Sequence, residues 1–276
     1  MSNSDPKVAA VQMTTGPDVG ANLREAERLV RAAATSGADL VVLPENFAFM
    51  GRWPQDILPL REREGDGRLQ SFLSEAAARY GVWIVGGTLP LVADDPGRAR
   101  AACLIFNEHG ERVARYDKIH LFDVAVPGAD EQYTESSTIE PGAAITVLDS
   151  PCGRLGVAVC YDLRFPELFR HMLDKGVELL AVPAAFTATT GKAHWEILVR
   201  ARAVENLAYV LAAAQGDYHV NGRETYGDSM IVDPWGAVLT RIPRGKGYIC
   251  HPLERDFQTS VRRSFPALEH RRLKCR

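Results

Sequence analysis

Residues 154–168 decide the fold and have the sequence Arg-Leu-Gly-Val-Ala-Val-Cys-Tyr-Asp-Leu-Arg-Phe-Pro-Glu-Leu. The apolar, valine-rich run 155–159 predicts a buried strand that ends at Cys160. Pro166 is suited to the first position of a helix, which we predict over 165–175. A thiol between a strand end and a helix N-terminus can be partly exposed and can feel the helix dipole, and both effects favour the thiolate. From this stretch alone, a buried structural cysteine is the more frequent outcome.

Outside this stretch, apolar runs and helical periodicity alternate early in each half of the chain, and strands then follow one another in hairpins. We predict strands at 7–13, 38–43, 82–91, 101–107, 111–116, 144–148, 154–160, 177–182, 209–214, 229–232, 237–242 and 247–250, and helices at 22–37, 68–80, 165–175, 193–206 and 254–263. This mixed order predicts a layered α/β fold. The short match between Leu40-Val-Val-Leu-Pro44 and Leu179-Leu-Ala-Val-Pro183 indicates two related halves. With no low-complexity linker, we expect one domain over 1–276, with a core of about 7–253 and an extension of about 254–276.

Composition excludes several classes of function. The net charge of −3 argues against a nucleic-acid partner, and no apolar stretch approaches the ~20 residues that cross a bilayer. The first residues, Met-Ser-Asn-Ser-Asp-Pro, lack the basic and apolar regions of a secretory signal. The five cysteines have no paired spacing, which suits a reducing cytoplasm, and the scattered histidines predict no metal site. We therefore expect a cytoplasmic protein without a metal site.

Three ionisable residues follow predicted strands, where loops collect catalytic groups on a rigid scaffold. They are Glu45, Lys118 and Cys160. Lys118 opens the long connection 118–139, whose charged and aromatic content favours a functional loop. A thiol nucleophile needs a base for its proton and a donor for the oxyanion it creates, and a carboxylate and an ammonium supply both. A cysteine–histidine pair remains open in principle, although no histidine has a comparable context.

The sequence resembles the nitrilase superfamily of carbon–nitrogen hydrolases over about 7–272. Its signatures are matched by Leu40-Val-Val-Leu-Pro-Glu45, Tyr116-Asp-Lys-Ile-His-Leu-Phe-Asp123 and Gly156-Val-Ala-Val-Cys-Tyr-Asp-Leu-Arg-Phe-Pro-Glu167. Within it, the chain is similar to the Nit branch through Val126-Pro-Gly, Glu135-Ser136, Gly191-Lys-Ala-His-Trp-Glu196, Arg200-Ala-Arg-Ala203 and Tyr226-Gly-Asp-Ser-Met-Ile-Val-Asp-Pro-Trp-Gly236. Lys192 departs from the family, whose members usually have proline there.

The resemblance implies an α-β-β-α sandwich and an amidase that needs no cofactor. It assigns Cys160 as nucleophile, Glu45 as general base and then acid, and Lys118 with the backbone N–H of Tyr161 as oxyanion donors. Glu135 matches a second glutamate that orients the lysine or the substrate. Members commonly pair through helices, so we expect a homodimer or a higher homo-oligomer. The residues after Glu254 pack either on a partner or on their own chain.

The resemblance also implies a small amide substrate that carries a carboxylate. Arg164, four residues after the nucleophile, matches the arginine that binds this carboxylate, although a surface salt bridge is the plain alternative. Phe186 and Thr190 match pocket-lining positions, and core packing explains Phe186 nearly as well.

Two substrates fit, namely α-ketoglutaramate, which releases ammonia, and deaminated glutathione, which yields α-ketoglutarate and cysteinylglycine. Residues 212–226 look more like the members acting on deaminated glutathione, where Arg223 could meet the dipeptide carboxylate. A nitrilase and an inactive binding protein are further alternatives. The complete set of Glu45, Lys118 and Cys160 argues against loss of catalysis.

Overall fold

Two mixed β-sheets form the centre of the computed structural model, which describes residues 5–126 and 132–273. The strands are Lys7–Gln12 (β1), Leu40–Val42 (β2), Trp83–Val85 (β3), Leu89–Val92 (β4), Ala99–Phe106 (β5), Arg112–Asp117 (β6), Asp123–Ala125 (β7), Gln132–Thr134 (β8), Val147–Ser150 (β9), Gly153–Val157 (β10), Leu179–Ala184 (β11), Tyr209–Ala214 (β12), Gly216–Tyr218 (β13), Glu224–Tyr226 (β14), Ser229–Val232 (β15), Val238–Ile242 (β16) and Gly247–Pro252 (β17). The α-helices are Val19–Thr35 (α1), Arg68–Tyr80 (α2), Pro166–Asp174 (α3), Ala188–Asn206 (α4) and Arg255–Ser264 (α5), and short 3-10 helices cover Pro54–Leu60, Glu135–Ser137 and Cys160–Arg164.

The two large sheets have the same internal plan. The first has the order β17-β1-β2-β3-β5-β4, with β6 paired to β5, and the second has the order β9-β10-β11-β12-β15-β16. In each sheet three parallel strands (β1-β2-β3 and β10-β11-β12) are flanked on both sides by antiparallel neighbours. The strands β2 and β11, which carry the repeated Leu-Val-Pro motifs, occupy equivalent central positions. The predicted relation between the halves is therefore confirmed.

The sheets pack face to face, with helices on both outer faces. On β1, Val8 and Ala10 join a core cluster shared with the second sheet and with α3 and α4. Ala9 and Val11, which point the other way, join a cluster with α1 and α2. This alternation follows from the two-residue period of a strand. The result is the α-β-β-α sandwich that the family resemblance implies, and it is consistent with the layered α/β fold predicted from the order of elements. No helix in the described part of the chain is long and apolar enough to cross a membrane.

The predicted strand 82–91 is wrong, because the chain turns sharply between β3 and β4. Gly87 has a φ of +55°, and a Cβ atom there would lie 2.1 Å from the carbonyl oxygen of Pro44. Only glycine tolerates both the conformation and the close approach. The hydroxyl of Thr88 then accepts a hydrogen bond from the backbone N–H of Asn46 at 2.9 Å. This turn supports the loop that carries Glu45.

Other helices and strands have boundaries that differ from the predicted ones where the side-chain periodicity is weak. The connection 118–139, predicted without regular structure, contains the hairpin β7-β8 and a 3-10 helix, while Pro127 and Gly128 of the Nit-like motif lie outside the described residues. The hairpin β13-β14 was not predicted. Helix α4 begins at Ala188, where Thr187 caps it by accepting the backbone N–H of Thr190, instead of at Ala193.

Candidate active site

The structure brings Glu45, Lys118 and Cys160 together at one edge of the sandwich. Glu45 follows β2, Lys118 follows β6, and Cys160 lies three residues after β10. The ammonium Nζ of Lys118 is 2.8 Å from Oε1 of Glu45, and both side chains are buried. All three residues line the same cavity. The three strand-end residues predicted from sequence therefore form one cluster.

Glu135 completes this cluster from the other side of Lys118. Its carboxylate oxygens lie 2.8 and 2.9 Å from Nζ of Lys118, and Oε2 also accepts the backbone N–H of Phe122 at 2.6 Å. The ammonium of Lys118 thus forms ion pairs with two carboxylates, those of Glu45 and Glu135, which come from different loops. Gln215 fixes the Glu45 loop by donating its side-chain amide to the carbonyl oxygen of Glu45 at 2.9 Å.

Cys160 stands at a sharp turn rather than at the end of a strand. Its φ of +50° is uncommon for a residue with a side chain, and such conformations persist only where neighbours fix them. Asp162 supplies that support: its fully buried carboxylate accepts the backbone N–H of Val159 at 2.8 Å and the hydroxyl of Tyr116 at 2.6 Å. It also accepts the backbone N–H of His120 at 3.1 Å and contacts the ring nitrogen Nδ1 of that residue at 2.7 Å. No role for Asp162 was predicted.

The thiol of Cys160 is almost fully enclosed. Cys160 is only 8% exposed, and it begins the 3-10 turn Cys160–Arg164 that precedes α3. Burial, followed by the negative charge of Glu45, raises the pKa of the Cys160 thiol well above its ordinary value. The ammonium of Lys118 and the backbone N–H of Ala185, 3.5 Å from Sγ, oppose this shift without reversing it. The surroundings of Cys160 therefore favour the neutral thiol over the thiolate.

The two partners of the cluster also have shifted pKa values. Burial lowers the pKa of Lys118, but the carboxylates of Glu135 and Glu45 outweigh it and place the pKa well above its ordinary value. Burial raises the pKa of Glu135, and the Glu45 charge adds to this, while the ammonium of Lys118 opposes it. Lys118 is therefore a fixed positive charge beside the thiol.

The cavity above Cys160 has a volume of about 680 Å³, which suits a small metabolite. Arg164 lines it, with its guanidinium carbon 5.3 Å from the ring centre of Phe186 and 5.7 Å from that of Tyr161. Its Nη1 lies 3.2 Å from Nδ1 of the exposed His194. Within the described residues, Arg164 has no carboxylate partner, so the surface salt bridge expected as the plain alternative is not formed there.

The remaining predicted positions also reach the cavity. Tyr161, Phe186 and Thr190 line it, and Tyr161 is the second residue of a helical turn, where backbone N–H groups lack intrahelical acceptors. Phe186 also packs edge-on against the buried Trp195 with ring centres 5.0 Å apart, so it serves both the core and the cavity. Lys192, which departs from the family pattern, is exposed on α4 and does not line the cavity.

The hairpin β13-β14 contributes a further wall of the cavity through Asn221 and Arg223. Asn221 donates to the carbonyl oxygen of Gly51 at 3.0 Å and accepts the backbone N–H of Arg223 at 3.0 Å. The Asn221-Gly222 pair is a common hairpin signal that could have revealed this element. In residues 5–126 and 132–273, no three histidine, cysteine or acidic side chains are grouped as metal ligands.

Comparison with known proteins identifies the family to which the chain belongs. The carbon-nitrogen hydrolase family model matches residues 7–263. A deaminated glutathione amidase from Yersinia enterocolitica is 42% identical over 96% of this chain and 92% of its own length, and omega-amidase NIT2-A from Xenopus laevis is 35% identical over 96% and 95%. The crystal structure of the C. elegans NitFhit protein superposes with a TM-score of 0.89 and 35% identity, covering 99% of this chain and 66% of that one. This chain therefore belongs to the carbon–nitrogen hydrolase family and is a hydrolase of carbon–nitrogen bonds other than peptide bonds.

Proposed function

We propose that this protein is a thiol amidase that hydrolyses the amide bond of deaminated glutathione to α-ketoglutarate and cysteinylglycine. The observation that carries the proposal is the cluster of Glu45, Lys118 and Cys160 at the floor of a cavity that also holds Arg164. A buried base, a fixed ammonium and a thiol are the groups that acyl transfer through a thioester requires.

In the first half of the reaction, the thiol proton of Cys160 passes to Glu45 as Sγ bonds to the amide carbonyl carbon. The high thiol pKa means that this transfer accompanies attack, since the resting thiol is neutral. The ammonium of Lys118 and the backbone N–H of Tyr161 stabilise the oxyanion, and one such donor is typically worth about 3–4 kcal/mol. Glu45 then returns the proton to the nitrogen, the carbon–nitrogen bond breaks, and the amine leaves.

In the second half, a water molecule enters the position that the amine has left. Glu45 accepts a proton from this water as its oxygen attacks the thioester carbon. The carbon–sulfur bond breaks, Sγ takes back a proton, and the carboxylic acid product is released. Each group returns to its starting protonation state.

Arg164 provides the recognition of the keto-acid end of the substrate. A planar guanidinium binds a carboxylate through two parallel hydrogen bonds, and the faces of Tyr161 and Phe186 hold it in the cavity. Phe186 and Thr190 complete the wall beside it. A neutral nitrile without a carboxylate would leave this guanidinium without a partner, so an amide of an acid is the better fit.

The second candidate function is that of an ω-amidase acting on α-ketoglutaramate, which has the same keto-acid head. The similarity to the Xenopus laevis omega-amidase favours this candidate. The sequence identity to that protein, 35%, is lower than the 42% identity to the Yersinia enterocolitica protein. The two substrates differ only in the amine that leaves. The choice between them depends on the part of the cavity beyond Cys160.

The test compares kcat/KM for deaminated glutathione and for α-ketoglutaramate, with Cys160→Ala as the control. We expect the higher value for deaminated glutathione and no turnover of either substrate by Cys160→Ala. An equal or higher value for α-ketoglutaramate would favour the second candidate. Full activity of Cys160→Ala would contradict the thiol mechanism.

We also propose a cytoplasmic homodimer. The cysteines of the described residues are all free, which suits a reducing compartment. Large apolar side chains are exposed on α4, on the turn before β16 and after α5, at Ile197, Val204, Trp235 and Phe265, and a partner subunit would cover them. Light scattering combined with size-exclusion chromatography measures the mass in solution, and cell fractionation tests the compartment.

A further inference from the structure

The cavity carries more positive than negative charge. Its basic lining residues are Arg52, Lys118, Arg164 and Arg223, and its acidic ones are Glu45 and Glu135. Lys118 is paired with both carboxylates. Among the described residues, the three arginines therefore have no carboxylate partner. Such a cavity suits a ligand with more than one negative charge.

Arg223 is held in the cavity wall by two contacts. Its Nη2 donates to the carbonyl oxygen of Ala185, and its guanidinium carbon lies 5.2 Å from the ring centre of Tyr133. Its Nε is buried and has no hydrogen-bond partner among the described residues. An unpaired buried donor is costly, and a bound acceptor would remove that cost. The guanidinium is thus held in place through Nη2 and lacks an acceptor at Nε.

The two cavity arginines approach Cys160 from different elements. Arg164 lies in the turn after Cys160 and contacts α4, whereas Arg223 projects from the hairpin β13-β14 toward Tyr133 of β8. Ala185 links Arg223 to the reacting atom, because its carbonyl accepts from Arg223 and its N–H contacts Sγ of Cys160. A substrate bonded to Sγ could therefore reach both guanidinium groups.

We infer that Arg223 is the specificity-determining residue that binds the carboxylate of the leaving group, the C-terminal carboxylate of cysteinylglycine. This inference rests on the proposed function. It assigns one arginine to each end of a dianionic substrate, with the scissile amide between them at Cys160. α-Ketoglutaramate, which releases ammonia, has no second carboxylate and leaves Arg223 without an acceptor.

The decisive substrate is deaminated glutathione whose C-terminal carboxylate is converted to a carboxamide. This analogue keeps the keto-acid head, the scissile bond and the size of the leaving group. The wild-type enzyme should prefer the acid over the carboxamide by about 10- to 100-fold in kcat/KM, the usual range for a hydrogen bond to a charged group. In Arg223→Gln this ratio should fall to near one, and in Arg223→Lys it should be intermediate.

Two control variants separate this role from general damage. Arg164→Gln should lower kcat/KM for the acid and the carboxamide by the same factor, because both have the same keto-acid head. Arg31→Gln, at an exposed position on α1, should leave both values unchanged. If Arg223→Gln does not fold, the ratio measured on the wild-type enzyme still tests the inference.

The outcomes distinguish the inference from the proposed function. If the wild-type enzyme hydrolyses acid and carboxamide equally well, the inference is wrong and the proposed function stands. If Arg223→Gln loses the same factor on both, Arg223 acts only by holding Ala185, and the inference is again wrong. If neither compound is hydrolysed while α-ketoglutaramate is, the proposed function fails and the inference falls with it.

Discussion

The ammonium of Lys118 contacts both carboxylate oxygens of Glu135, at 2.8 and 2.9 Å. Because Oε2 of Glu135 is also held by the backbone N–H of Phe122 at 2.6 Å, the carboxylate has one orientation and aims the lysine toward the cavity. Glu135 therefore positions the proposed oxyanion donor. It also offsets the positive charge that Lys118 would otherwise bury alone.

Glu135→Gln should lower kcat by about 10- to 1,000-fold, the range for loss or misplacement of an oxyanion-stabilising donor. The amide presents an N–H either to the ammonium or to the N–H of Phe122, and both arrangements move Lys118. Substrate binding through Arg164 is retained, so KM should change much less than kcat. Steady-state kinetics measure the difference, with Glu75→Gln, exposed on α2, as the matched control. A change in KM alone would contradict a positioning role.

Glu45→Gln should make Cys160 more acidic and the enzyme less active. The negative charge of Glu45 is one of the causes that raise the thiol pKa, so its removal lowers that pKa and the thiolate forms at a lower pH. The general base is lost at the same time, which should reduce kcat by about 10²- to 10⁴-fold. Ultraviolet titration of the thiolate, corrected with Cys160→Ala, measures the shift. A thiol pKa that stays the same or rises would show that Glu45 does not act on Cys160.

The residue patterns predict a layered α/β fold and single out the three central site residues, whereas the four-layer sandwich follows from the family resemblance. The apolar runs before Glu45 and Cys160 identify strands of a buried sheet, and Lys118 follows the second strand of a predicted hairpin. The short match between 40–44 and 179–183 identified the two equivalent strands, β2 and β11. Both strands consist of apolar residues, because both faces of each strand are buried.

The parts that sequence did not predict depend on contacts between distant segments. The acidity of Cys160 is set by burial under several loops, which no local pattern reveals. The role of Asp162 depends on Tyr116 and His120, more than forty residues away in sequence. The hairpin β13-β14 was missed for a local reason instead: its strands have three residues each, too short for a hydrophobic period, so only the Asn221-Gly222 turn signals it.

Arg164→Lys should raise KM for deaminated glutathione by about 10-fold or more while kcat changes less. The lysine keeps the charge, but it cannot form the two parallel hydrogen bonds of a guanidinium or stack over Tyr161 and Phe186. Steady-state kinetics with Arg31→Lys as a surface control provide the measurement. Unchanged KM and kcat would rule out the bidentate role of Arg164.

Gly87→Ala should lower kcat as well as destabilise the turn between β3 and β4. The added methyl group would lie 2.1 Å from the carbonyl oxygen of Pro44, so the loop that carries Glu45 must shift. Gly65→Ala is the matched control, because Gly65 also has a positive φ, +85°, but open space around the added Cβ. Both variants should lose about 1–2 kcal/mol from the backbone conformation, while only Gly87→Ala loses kcat by an order of magnitude or more. Equal kcat values for the two variants would show that the turn at Gly87 does not affect the active site.

Asp162→Asn should destabilise the protein and lower kcat together. Each carboxylate oxygen of Asp162 accepts two hydrogen bonds: Oδ2 from Val159 and Tyr116, and Oδ1 from the backbone and ring nitrogens of His120. The side-chain NH₂ of asparagine would face donors in either orientation and leave buried groups unpaired, at a cost of about 1–3 kcal/mol for each unsatisfied group.

The same substitution should affect catalysis because Asp162 holds the turn in which Cys160 keeps its φ of +50°. If the turn relaxes, Sγ moves away from the path of attack, so kcat should fall while KM, which depends on Arg164 and its aromatic neighbours, changes less. The urea midpoint and kcat are the two measurements, and Asp149→Asn, an exposed partner of Arg154, serves as control. A lower urea midpoint with unchanged kcat would mean that Asp162 stabilises the fold without positioning the nucleophile.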